Sequence, residues 1–188
     1  MKHEIREAAL AAARELHRQR SSNGVFGLPK GSLYLTAWPT VPACIIFLDI
    51  DGVLNSEQSR DEFGSLVEFS KKAVANLNEI LSSTDALLVI SSSWRIDWTL
   101  EEISRHLASQ GVASPKIFGK TPDLADQPRG HEIQAWLDDA PFPVESFVIL
   151  DDRDDLHPNR QRHIQTDPAE GLTAHDAYRA TSLLLKAD

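Results

Sequence analysis

Cysteine is almost missing from this chain: Cys44 stands alone, so no intramolecular disulfide can form, and its place inside an apolar run predicts a buried, inert thiol. Long apolar runs are missing too. No segment approaches the roughly 18 to 20 residues that span a bilayer, and the opening MKHEIREAAL mixes acids with bases instead of forming an apolar leader. A cytoplasmic protein without membrane contact is the expectation. Basic charge is scarce, with 19 Lys+Arg against 28 Asp+Glu and a net charge of -9. That balance disfavours indiscriminate coating of nucleic acid. A metal ion and a few arginines can still reverse the potential of one small cleft, so recognition of a single phosphorylated end stays open. GxGxxG and the P-loop pattern GxxxxGKS/T are both absent, which argues against dinucleotide binding and P-loop ATP use.

What is present suffices for one domain. The chain has 188 residues, 41% apolar and 25% charged, in the range of ordinary globular proteins. Ile5, Ala8, Ala9, Ala12 and Leu16 recur at helical spacing and predict a helix over residues 4 to 20. Residues 21 to 43 carry Pro29, Gly31, Pro39 and Pro42 and read as a linker, so residues 1–40 form an N-terminal helix and linker and the compact domain spans 41–188. From there strand and helix alternate. CIIFLDI (44 to 50), ALLVIS (86 to 91), KIF (116 to 118) and SFVIL (146 to 150) read as strands, and HIQT (163 to 166) is a candidate fifth. Helices are predicted over Leu66 to Leu81, Leu100 to Gln110 with Gly111 as its stop, His131 to Asp138, and Ala174 to Leu185. The last has Thr173 as N-cap and Ala177, Leu184 and Leu185 on its packing side. Continuous apolar strands separated by helices imply a three-layer α/β, Rossmann-like fold around a mostly parallel sheet.

In such a sheet the ligand crevice lies beyond the carboxyl ends of the strands. Asp49, Asp51 and Gly52 follow the first strand, Ser91, Ser92, Ser93, Trp94 and Arg95 the second, and Asp151 and Asp152 the SFVIL strand. Carboxylates gathered this closely repel one another unless a hard divalent cation neutralises them, and an all-oxygen set suits Mg2+ better than Zn2+. A carboxylate beside such a cation can attack a phosphoryl group in line, and a second can protonate the leaving oxygen and then activate water. Arg129, just before a predicted helix, is the candidate cation to balance charge on the transferred group.

DIDGVLN (49 to 55), ISSS (90 to 93), Arg129 and ILDD (149 to 152) stand in the order and strand-end placement of the haloacid dehalogenase-like (HAD) phosphohydrolases, which the chain resembles over about residues 44 to 185. SSSWR, RGHEIQAWL, ILDD and QTDPAEGLT are similar to the HAD domains associated with RNA-repair proteins. The resemblance implies a Mg2+-dependent phosphatase with Asp49 as nucleophile and metal ligand. It implies Asp51 as general acid/base with its backbone carbonyl on the metal, Ser91 as the phosphate-binding hydroxyl, Arg129 as the stabilising cation, and Asp151 and Asp152 as completing the metal site. Ser92 could take the place of Ser91, and Lys120 that of Arg129. Ser92, Trp94 and Arg95 are the further candidates for contacting substrate, Trp94 alternatively as a packing anchor; Trp98 and Trp136 read as packing residues.

Only 40 residues separate Asp51 from Ser91, and 58 separate Ser93 from Asp151, so the core elements leave no room for a large cap domain. In the family that the chain resembles, an open site suits large substrates such as phosphorylated nucleic-acid ends or proteins, and small ones if residues 1 to 40 fold over the cleft; phosphorylated nucleic-acid ends or nucleotides are the expected substrates. Arg153, His157, Arg160, Arg162 and His163 follow the acidic pair, either as a solvated loop or as a guide for phosphates. The competing reading is a non-catalytic module that holds a phosphorylated partner in the same cleft.

Overall fold

A computed structural model describes residues 39, 41–65 and 67–186. The helix expected over residues 4 to 20 lies outside the described residues. Strand β1 (Ala43–Leu48) is followed by helices α1 (Glu57–Phe63) and α2 (Lys71–Thr84), strand β2 (Leu87–Ile90), helices α3 (Trp94–Asp97) and α4 (Leu100–Ser109), and strand β3 (Ile117–Lys120). Helix α5 (Arg129–Asp138), strand β4 (Val144–Asp151), strand β5 (His163–Gln165) and helix α6 (Ala174–Leu185) complete the described order. The sheet runs β3-β2-β1-β4-β5, with every neighbouring pair parallel.

Strand β1 is central, and its side chains alternate between two cores. Ile46 and Leu48 join Leu88, Ile90, Val148 and Leu150 beneath α2, α4 and α6. Ile45 and Phe47 face the other way, with Val89, Ile149 and Ile133 of α5. Both faces are therefore covered, which is why these strands read as unbroken apolar runs instead of alternating ones. Each fully buried Ile, Leu or Phe contributes about 1.5–3 kcal/mol, and Ile45 to Leu48 are all completely buried.

Several expected boundaries move. The helix predicted from Leu66 begins at Lys71, because the Ser70 hydroxyl caps it by accepting from the Ala73 amide. Val67 stays outside it, exposed. Helix α5 opens at Arg129 instead of His131, behind Pro128. Leu185, expected on the packing side of α6, is exposed, while Ala177 and Leu184 are buried as expected. Helices α1 and α3 were not foreseen: α1 is fixed by a reciprocal Ser56–Ser59 capping box and stopped by Gly64, and α3 is a single turn. Cys44 is half-buried, and burial pushes its thiol up, in keeping with an inert group.

The chain builds β1, β2 and β3 outward in one direction and then returns to place β4 on the other side of β1. The sheet thus reverses between β1 and β4, and a crevice opens at their carboxyl ends.

Candidate active site

Asp49 follows β1 immediately, and its amide donates to the Leu150 carbonyl of β4 at 2.9 Å. Leu48 pairs with Ile90 on one side and Leu150 on the other, so Asp49 stands in register between Ser91 and Asp151. The reversal of the sheet therefore brings two carboxylates from strands about 100 residues apart in sequence to adjacent positions. Asp49 and Asp151 are both almost fully buried. Arg129, the first residue of α5, lies between them: one guanidinium nitrogen donates to Asp49 Oδ2 at 2.5 Å and to Asp151 Oδ2 at 2.7 Å.

Two features of the local fold make this placement tight. Gly130 lets the start of α5 press against the loop after β4, since a Cβ there would come within 2.3 Å of the His157 carbonyl oxygen. Gly52 has φ +75, and a Cβ on it would lie 2.6 Å from the carboxyl carbon of Asp152. The turn after Asp51 is thus a cradle for Asp152, braced by the Thr166 hydroxyl donating to the Gly52 carbonyl at 2.8 Å.

Oxygen atoms of Asp49, Asp151 and Asp152 lie within 4.8 Å of one another. Arg129 is the cation that bridges two of these three carboxylates. Burial raises the Asp49 pKa despite the opposing pull of Arg129 and hydrogen bonds from Ser92 and the Ile50 amide. Burial, then the charge of Asp49, pushes Asp151 up to about 7, again against Arg129. Although burial disfavours its charge, the two carboxylates hold Arg129 above its ordinary range. A hard, oxygen-preferring divalent cation fits this donor set, because it would balance negative charge that one guanidinium leaves uncompensated.

Asp51 is placed differently. It is exposed, and its carboxylate accepts from Asn55 Nδ2 at 2.8 Å and from the Trp94 indole N–H at 3.0 Å. Its side chain is not among the three clustered carboxylates. Ser92, rather than Ser91, is the serine whose hydroxyl favours the charged form of Asp49. The Ser91 hydroxyl is completely buried and has no hydrogen-bond partner among the described residues. Lys120 donates to the Arg95 carbonyl at 2.7 Å, and Arg129 occupies the position beside Asp49 that was open to either residue.

Arg95 corrects the expectation that it touches substrate. It is buried, and its guanidinium donates to the Ser92, Thr121 and Pro122 carbonyls and to Glu132 Oε2 at 2.6 Å. It ties the end of β2 to the segment after β3 and to α5. Of the basic group after β4, Arg153 lines the cleft while paired with Asp155 at 2.8 Å. Arg162 donates to the Ser146 hydroxyl and the Leu183 carbonyl, and His163 bonds the Asp151 carbonyl. Trp136 packs edge-on against Phe47, as a packing residue should.

The cleft over these groups encloses about 720 Å³ and is lined by Asp49, Asp51, Arg129 and Asp152 at its base. Arg60, Val67, Ile96 and Trp98 are also on its walls. Asn55, which holds Asp51, stands within DIDGVLN yet carries no site role in the sequence pattern. Arg60, Val67 and Ile96 reach the cleft from outside the strand-end motifs, so no motif points to them.

Among the described residues no helix is long and apolar enough to cross a membrane. A search of curated proteins found no match. A family model described as the HAD domain in Swiss Army Knife RNA repair proteins matches residues 45–177. The match takes in all but the first two residues of the sheet, the three strand-end motifs, Arg129 and most of the helices that cover them, and the chain belongs to that HAD domain family.

Proposed function

We propose that this chain is a Mg2+-dependent phosphohydrolase that works through an aspartyl phosphate on Asp49, with phosphorylated nucleic-acid ends or nucleotides as substrates. The observation that carries the reading is the single arrangement of Asp49, Arg129, Asp151 and Asp152 at the sheet's reversal, beneath an open cleft.

Asp49, Asp151 and Asp152, with the Asp51 carbonyl, would hold Mg2+, which when bound neutralises the carboxylates and draws electron density from the phosphoryl group. Asp49 attacks phosphorus, and the bond to the leaving oxygen breaks. Asp51 delivers a proton to that oxygen, then removes one from the water that cleaves the acyl phosphate and releases Asp49. Its hydrogen bonds to Asn55 and Trp94 support this role, because they fix the carboxylate at the cleft without committing it to the buried cluster. Arg129 orients Asp49 and offsets charge on the transferred group. The phosphate-binding hydroxyl is assigned to Ser92, on the strength of its influence on the Asp49 carboxylate.

The test is phosphate release from an aryl phosphate, nucleotides, sugar phosphates and 3′- or 5′-phosphorylated oligonucleotides, with Mg2+ and with EDTA. Turnover should require Mg2+ and fall by at least about 10³-fold in Asp49→Asn. Folded wild type that releases no phosphate from any of them would sink the hydrolase reading in favour of a phosphate-holding module.

A further inference from the structure

The cleft has one aromatic wall, of which the hydrolase reading uses only the Trp94 indole N–H. Beside the carboxylates, Trp94 and Trp98 stack with ring centroids 4.7 Å apart and planes tilted by 43°. His106 meets both rings at 5.5 Å, and Phe69 backs Trp94 at 6.1 Å. At the mouth, Ile96 and Val67 are 60% and 40% exposed, so apolar surface faces solvent inside an otherwise charged cleft. Core packing accounts for the inner faces of the indoles. It does not account for Ile96 and Val67 left open beside them.

The wall is tied to the chemistry at one atom pair: the Trp94 indole N–H donates to Asp51 Oδ2 at 3.0 Å. If Asp51 protonates the leaving oxygen, the group bearing that oxygen departs alongside Trp94. The rest of the cleft carries Glu57, Asp97 and Asp152 as well as Asp49 and Asp51, against Arg60, Arg129 and Arg153. Such a lining disfavours a long run of backbone phosphates and leaves a flat, uncharged ring as the group that the wall can hold.

We infer that the Trp94–Trp98 wall, with Ile96 and Val67 at its edge, is a stacking platform for the nucleobase of the leaving group, which makes a terminal or free nucleotide the substrate class over sugar phosphates. This rests on the phosphohydrolase reading for its direction but not for its binding. Stacking is tolerant of base identity, so preference among bases is small while preference for having a base is large.

Two measurements test it. In turnover, the ratio of kcat/KM for adenosine 5′-monophosphate over ribose 5-phosphate should be at least about tenfold, and should collapse towards one in Trp98→Leu and decline in Ile96→Ser. Ile96 is exposed, so its replacement leaves the fold intact should Trp98→Leu fail to fold. In binding, Asp49→Asn with Mg2+ is titrated with the same two compounds and followed by tryptophan fluorescence. Tighter, quenching binding of the nucleotide, lost in Asp49→Asn/Trp98→Leu, supports the platform even where wild type hydrolyses nothing. Hydrolysis of both compounds with equal kcat/KM overturns it while leaving the phosphohydrolase reading intact, as does equal binding. A 5′-phosphorylated trinucleotide run beside the mononucleotide distinguishes the sources: a higher kcat/KM assigns nucleic-acid ends, an equal or lower one free nucleotides.

Discussion

Arg129 stands between Asp49 and Asp151 with little access to water, so its loss would leave two buried carboxylates facing each other with no cation between them. Removing one partner from a buried ionic cluster leaves uncompensated charge and costs about 3–5 kcal/mol. Arg129→Ala should therefore lower the unfolding free energy of the EDTA-treated protein by an amount of that order in urea melts, and Mg2+ should restore part of it. Gly52 gives a sharper test of the metal site. A methyl group there would displace the Asp152 carboxyl and force L-residue backbone into a left-handed turn. Gly52→Ala should weaken Mg2+ binding by about 10-fold or more by calorimetric titration, and unchanged affinity would remove Asp152 from the ligand set. The carboxylates were legible at this scale because each follows an apolar strand, and strand ends are where the crevice must lie. Ser91 and Ser92 were not separable, because a shift of one residue at a strand end exchanges which hydroxyl meets Asp49. Arg95 was misread because proximity in sequence to the site says nothing of direction; its partner Glu132 lies 37 residues away.

Elements reach the site in concert through that buried Arg95–Glu132 pair. Glu132 accepts from Arg95 with one oxygen and from the Leu124 amide with the other, on the same helix that begins with Arg129. Arg95 in turn holds the Ser92 carbonyl at 2.8 Å. The pair thereby sets the spacing between the end of β2 and the first turn of α5, which are the elements that bring a hydroxyl and a guanidinium to Asp49. Arg95→Met and Glu132→Met should each destabilise by about 3 kcal/mol or more, while the double variant should lose clearly less than their sum. Additive losses in urea melts would mean that the pair is not coupled. Strand and helix order were legible from apolar runs and caps, the Thr173 cap of α6 among them. Helices α1 and α3 were missed because each is too short to show a period, and α1 depends on a serine pair closing on itself.

Where the strand order reverses the molecule buries two carboxylates side by side, and this gives metal-free protein an unusual dependence on pH. Asp151 titrates at about 7 in the folded state against an ordinary 3.8, and Asp49 is raised as well, burial being the first cause for both. Between the two values the folded state binds protons that the unfolded chain has released. Their contribution to stability is thus present in full below the ordinary carboxylate pKa and is lost as pH rises towards 7. His163 acts in the other sense: burial lowers its pKa from 6.5, so its contribution is present above that value and is lost as pH falls below it. Comparing wild type with Asp151→Asn isolates the carboxylate part. In EDTA the wild type should lose stability relative to that variant between pH 5 and pH 8. Saturating Mg2+ should remove the trend, because the cation then supplies the positive charge that protons supplied. At a concentration 100 times its dissociation constant, Mg2+ should add about 2.7 kcal/mol at pH 8. Urea melts at the two pH values, each with EDTA and with Mg2+, measure all of these terms. Equal stability with and without Mg2+ at pH 8 would mean that the acidic cluster is not a cation site, and the phosphohydrolase reading would lose its cofactor.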